Sequence, residues 1–252
     1  MPSPATPRFP AGSLEWLCGE RLGPDARILT VAAPVSLCRT LAAHGARVMA
    51  VHPDLGVAAV SNRIPGVTGV CAMADSLPLD GARFDAALVH QHFHRLAPGL
   101  VLPELARILR PDGCLGISWL VRDDSIPWVR RLATLLRTVD PSAMTGDYGT
   151  EAITAVEESA YFPSLESRSH RLWVPVTKAA LVEMAMSRPA VQALDEAARA
   201  GLQAQVERLH DDSCGPGGLR LPYELACWRA WVDHDELTQP IEVDRHGLVI
   251  RI

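Results

Sequence analysis

The sequence predicts an α/β fold built on a doubly wound, mostly parallel sheet. Three observations carry this prediction. The 252 residues are 48% hydrophobic and 21% charged, an ordinary globular composition that can bury a core without disulfide or metal staples. Short apolar runs of strand length recur from Arg27 to Trp119, and they are continuously apolar, as strands covered on both faces must be. Helical patterns separate consecutive runs, which is the spacing of right-handed crossovers between parallel strands.

Taken in order, residues 1–13 are rich in Pro, Ser and Ala and are expected to form a disordered arm. A helix is expected over 13–22 with Ser13 as its N-cap. RILTVA at 27–32 reads as the first strand, followed by a helix through Leu37, Leu41 and Ala42 that ends at Gly45. RVMAV at 47–51 is the second strand, 54–62 a helix and 67–72 the third strand. FDAALVH at 84–90 is the fourth strand, 103–109 a helix, and GCLGISW at 113–119 the fifth strand. Beyond residue 125 helices are expected at 127–138, 150–159, 177–186 and 189–210, with strands at 165–174 and 219–232. The tail alternates Ile241 and Val243 with Leu248, Ile250 and Ile252 around Asp244-Arg245-His246-Gly247, the pattern of a terminal hairpin.

A formal net charge of −5 argues against nucleic acid or an anionic membrane as the main partner, because both need a basic face. Lys178 is the only lysine, and the arginines are scattered rather than clustered. The six cysteines form no CxxC pair, so buried reduced thiols are expected rather than a disulfide framework or zinc ribbon. No apolar run approaches membrane-spanning length and the N-terminus lacks a signal-peptide core, so a cytoplasmic location is expected.

In a doubly wound sheet the ligand sits at the carboxyl ends of the strands. That rule selects residues 32–38, 52–54, 73–76, 90–95 and 119–124. Within them His90, His92 and His94 alternate, and an extended backbone would turn all three to one side, facing a metal or a substrate. No fourth ligand follows at short spacing, so no metal site is assigned, and a pocket lining is the preferred role. Asp123 and Asp124 would form a carboxylate pair with a raised pKa, or a solvated turn that caps the next helix. Trp119, Trp128, Trp173, Trp228 and Trp231 would line an apolar pocket or fill the core, and core is the commoner role. Arg130 and Arg131 are expected to face solvent.

From Arg27 to Trp128 the chain resembles the class I S-adenosylmethionine (SAM)-dependent methyltransferases of the small-molecule, type 11-like kind. The resemblance rests on LARILRPDG at 105–113, RDDSIPW at 122–128, ADSLPL at 74–79, FDA at 84–86 and QHFH at 91–94, in the family's order. It implies a Rossmann-like, seven-stranded sheet with a helical cap, and the alternating tail adds a C-terminal hairpin extension. The expected domain boundaries are a disordered arm at 1–13, a core at 14–128, a cap with the last strands at 129–232, and an extension at 233–252. It also implies a SAM site formed by Ala32, Pro34, His52, Met73, Asp75 and Gln91, with Met73 against adenine and His94 as candidate base.

The chain departs from the family where SAM would bind. The family's first strand ends in an acid and a glycine-rich loop, since only residues without a Cβ allow close approach and left-handed turns. Here the loop reads Thr30-Val31-Ala32-Ala33-Pro34-Val35-Ser36, with no glycine and no carboxylate. Pro34 and Val35 place side-chain atoms where the family keeps backbone, and Pro34 removes a donor. The acid expected on the second strand to accept from both ribose hydroxyls is replaced by His52, followed by Asp54. Together these losses imply a SAM site that is weak or lost. Two functions follow: a SAM-dependent methyltransferase acting on a small molecule, or a non-catalytic methyltransferase-like binding or scaffold protein. In the second, the C-terminal hairpin would pair with a second copy or a partner protein.

Overall fold

The computed structural model describes residues 7–141, 143, 150–238, 243–244 and 247–248. In chain order its first elements are α1 (Ser13–Leu17), β1 (Arg27–Val31), α2 (Val35–Ala43), β2 (Arg47–His52), α3 (Leu55–Ser61), β3 (Val67–Cys71) and β4 (Phe84–His90). A 3-10 turn at Phe93–Arg95 precedes α4 (Pro98–Ile108), β5 (Leu109–Arg122), α5 (Pro127–Arg137) and α6 (Thr150–Glu157). Then come β6 (Ser164–Val176), α7 (Lys178–Met186), α8 (Pro189–Gln192), α9 (Glu196–Ser213), β7 (Leu219–Trp231) and α10 (Asp235–Thr238). Two short strands, β8 (Val243–Asp244) and β9 (Gly247–Leu248), close the chain as an antiparallel pair. The rest of the expected terminal hairpin, including Ile241, Ile250 and Ile252, lies outside the described residues, as do residues 1–6 of the expected arm.

The seven-stranded sheet has the order β3-β2-β1-β4-β5-β7-β6. β1 pairs in parallel with β2 and β4, β2 with β3, and β4 with β5. Ile28 and Val31 therefore lie mid-sheet beside Val48 and Val51, as expected. Every residue of β4 is buried, which accounts for its unbroken apolar run. By contact the described residues divide into two compact units. One comprises those of Gly12–Ser118, Gly149–Arg168 and Cys227–Ile252, and the other those of Met1–Ala11, Trp119–Tyr148 and Ser169–Ala226.

In the first unit α1 is shorter than expected and is capped by Gly12 at φ 77°, not by Ser13, which is buried. Gly19 and Glu20 at φ 64° and 61° stop it, a left-handed exit that the sequence pattern did not reveal. α1 lies hard against β5: a Cβ on Gly116 would meet Leu17 O at 2.6 Å and Leu88 Cδ2 at 2.5 Å. α4 begins at Pro98 rather than at 103, because Pro98 suits the first helical turn.

The second unit has its own core. Trp128, Val129, Leu132, Ala133 and Leu136 form the buried stripe of α5 and pack with Leu181, Ala185, Val206 and Leu209 from α7 and α9. Arg130 and Arg131 on its other side are exposed, as expected. The single helix expected at 189–210 is two, because Asp195 accepts from Ala198 N–H at 2.7 Å and starts α9 as a cap. Of the six free cysteines Cys18, Cys38, Cys114 and Cys227 are buried, whereas Cys71 and Cys214 are exposed, which corrects the expectation of uniform burial. Trp119 and Trp128 are core residues, but Trp173 is 45% exposed. Among the described residues no helix is long and apolar enough to cross a membrane.

Candidate functional site

The connections from β1 and β4 leave toward opposite sides of the sheet, which makes their carboxyl ends the switch point where such folds bind ligands. The residue after β1 is Ala32, at φ 48°, and the residue after the last residue of β4 is Gln91, at φ 65°. Both hold a left-handed backbone without being glycine, which costs about 1 kcal/mol each and persists only where the surroundings enforce it. Ala32 is enforced by its N–H, which donates to Val51 O at 2.8 Å. Pro34 then serves as N-cap of α2 without any side-chain cap hydrogen bond. At the end of β2, His52 Nδ1 accepts from Asp54 N–H at 3.0 Å. Its proton is therefore on Nε2, leaving one donor to present. The Asp54 carboxylate caps α3 by accepting from Val57 N–H at 3.0 Å.

His90 ends β4 at 5% exposure, its Nδ1 2.9 Å from Ser118 Oγ on β5. The expected row of three histidines does not form. The chain turns at Gln91, whose N–H donates to Ser118 O at 2.9 Å, and Phe93–Arg95 coils into a 3-10 turn. His92 Nδ1 folds back to His90 O at 3.2 Å, and His94 is exposed on the turn. Burial, with Arg95 and His92 beside it, holds His94 below the ordinary histidine range, which favours its neutral form.

Burial, reinforced by His92, pushes His90 down from 6.5 to about 4. Between those values only the unfolded chain takes up the proton. Stability from this group is therefore full above about pH 6.5 and falls as the pH drops toward 4, by about 3 kcal/mol in all. His90→Asn is expected to flatten that loss in urea titrations repeated across this range. Equal acid sensitivity of the variant and the parent would refute the assignment.

The 73–79 segment is fastened from α4. Leu77 N–H donates to Glu104 Oε1 at 2.7 Å, while Arg107 donates to Leu79 O at 2.9 Å and Leu77 O at 3.3 Å and pairs with Glu104. The Arg107 guanidinium holds the Glu104 carboxyl below its usual range. Arg107 lies within LARILRPDG, and the Glu-x-x-Arg spacing at 104–107 is the sequence signal for this role. Met73 (59% exposed) and Asp75 sit on the open turn after β3, before this fastened stretch. Asp123 is lowered rather than raised in pKa, and the turn does not cap α5, whose N-cap Ile126 uses no side chain. Asp123 instead accepts from Ser125 Oγ and N–H and pairs with Arg171 at 3.2 Å, and these partners lower its pKa. Among the described residues no three His, Cys, Asp or Glu side chains converge as metal ligands would.

A methyltransferase-domain family pattern matches residues 32–117. An uncharacterized methyltransferase of Mycobacterium tuberculosis (strain ATCC 25618 / H37Rv) is 30% identical over 231 residues, 89% of each chain. The chain belongs to the class I SAM-dependent methyltransferase family. An uncharacterized methyltransferase-like protein of Schizosaccharomyces pombe is 29% identical over 137 residues, 52% of this chain and 53% of that one. In fold, this methyltransferase-family chain is similar to a type II methyltransferase candidate from Anaeromyxobacter dehalogenans. The TM-score is 0.64 at 23% identity, covering 90% of this chain and 98% of that one.

For a class I methyltransferase the residues present fit SAM only in part. The turn after β1 holds a left-handed alanine, Ala32, so a Cβ stands at that turn. At the end of β2, His52 offers one donor rather than a carboxylate, and one oxygen of Asp54 already caps α3. Of the sequence-expected site residues, Ala32, His52 and Gln91 stand at the ends of three adjacent strands. Pro34 and His94 are on the first turns beyond.

Proposed function

We propose that this chain is a small-molecule methyltransferase whose SAM site is kept in backbone form but weakened in affinity. The observation that carries the reading is the left-handed Ala32 hydrogen-bonded to β2. The hydrogen bond to Val51 O holds an alanine at φ 48°, a turn that a glycine would adopt without strain. SAM, when bound, supplies an electrophilic methyl group. The chain's own part is to hold the acceptor in line and, through the neutral His94 imidazole, to take the acceptor's proton. Free cysteines throughout support a reducing compartment, the cytoplasm. Isothermal titration with SAM and S-adenosylhomocysteine tests the reading. One-site binding in the high-micromolar to millimolar range is expected, roughly a thousandfold weaker than an intact site would give. Heat silence for both ligands at millimolar concentration would reject it.

The second reading is a non-catalytic methyltransferase-like protein that binds a partner or a second copy. It is favoured by the end of β2, where His52 offers one donor and one Asp54 oxygen is engaged as a helix cap, and by the backbone pairing of Val243 with Leu248. Light scattering separates it: removal of 240–252 would then reduce an oligomer to a monomer.

A further inference from the structure

At the end of the sheet opposite the candidate site lies a second cavity of about 500 Å³, a size at which small organic ligands are held. It exists because the 72–83 connection between β3 and β4 carries no helix, whereas α2, α3 and α4 fill the other crossovers of this half of the sheet. α3 covers the face of β3 that bears Gly69, where a Cβ would run into the Ala58 backbone. The alternate residue Thr68 and its register partner Met49 therefore point to the uncovered face. Met49, Leu79 and Phe84 supply an apolar floor.

The rim is cationic. Arg27 and Arg47 are direct register partners on β1 and β2, so their side chains share one face and both line the cavity. Like charges set opposite one another across strands destabilise a sheet unless something offsets the repulsion. Arg83 is the third arginine of the rim, and Asp80, 3.2 Å from it, is the cavity's one carboxylate. Three guanidinium groups thus face a single acid over an apolar floor.

We propose that this cavity binds a small amphipathic organic anion. Its carboxylate, sulfonate or phosphate head lies between Arg27 and Arg47, and its apolar body rests on Met49 and Phe84. The planar guanidinium fork suits such oxyanions, and the rim charge excludes cations and leaves neutral apolar molecules without a partner for the arginines.

The probe is 8-anilinonaphthalene-1-sulfonate, read by fluorescence, with N-phenyl-1-naphthylamine as its uncharged counterpart. One-site sulfonate binding is expected. R27E/R47E should weaken it by about tenfold or more while changing the uncharged probe little, and D80N should strengthen it. M49W, which fills the floor, should exclude both probes. If the double reversal lowers the thermal midpoint, the single R27Q and R47Q variants are read instead, each weakening the sulfonate by about threefold. The proposal is overturned if the parent protein does not bind the sulfonate, if charge reversal leaves its affinity unchanged, or if both probes weaken equally.

Discussion

Replacing Arg229 by alanine is expected to destabilise the folded chain by about 3 kcal/mol and to lower its thermal midpoint by roughly 6–12 °C. Arg229 on β7 is 7% exposed. Its guanidinium donates to Glu166 Oε2 at 2.7 Å and to Trp16 O at 3.0 Å, and stacks over the rings of Trp16 and Trp231 at 4.6 and 5.0 Å. One side chain thus ties α1, β6 and β7 together. Glu166 is about half exposed and regains water when its partner goes, which keeps the figure at the lower end for a broken buried pair. The larger loss is the Arg229 hydrogen bond to Trp16 O, which keeps only its Gly19 N–H donor at 3.0 Å, and the cation over the Trp231 ring, while Trp16 keeps Arg168 at 4.9 Å. Arg229→Lys should recover less than half of the loss, since an ammonium cannot reach both acceptors and lie flat between two rings. A change below 1 kcal/mol in urea unfolding of the alanine variant would show that the network carries little.

The combined variant Ala32→Gly, Pro34→Gly, His52→Glu is expected to bind SAM about a hundredfold or more tightly than the unmodified protein. It should also gain more than its three single changes summed. Ala32→Gly relieves the left-handed strain at φ 48° and removes a Cβ from the turn. Pro34→Gly returns a backbone donor at the start of α2. His52→Glu supplies a carboxylate able to accept from two hydroxyls, each charge-assisted bond contributing about 1–3 kcal/mol. The non-additivity arises because the carboxylate acts fully only on a ligand whose other end can be seated. Titration calorimetry on the unmodified chain, the three single variants and the triple variant decides the matter. Tight SAM binding by the unmodified chain, or a triple variant no better than His52→Glu alone, would show that this loop had reached another solution.

How much of this was legible from residues alone differs from place to place. β4 could be read because FDAALVH has no polar position to spare and can only be a strand covered on both faces. α5 could be read because its stripe from Trp128 to Leu136 repeats at helical spacing. That Thr30–Ser36 holds no glycine or carboxylate, and that β2 ends in His52, is likewise legible in the sequence itself. What the histidines do was not legible. The expectation of three imidazoles on one side assumed extended backbone past His90, and Gln91 breaks it by turning to φ 65°, held by its N–H to Ser118 O on a neighbouring strand. The same holds for Arg229 and Arg107, which read as two scattered arginines until α1 and the 77–79 stretch close on them. Periodicity and composition record the burial that each segment needs for itself, and so they determined the strands and the helices; the family rested on the resemblance of the motifs. Whether a left-handed alanine is held, a histidine is kept neutral or two arginines share a rim depends on partners tens of residues away, so only the tertiary structure decided those.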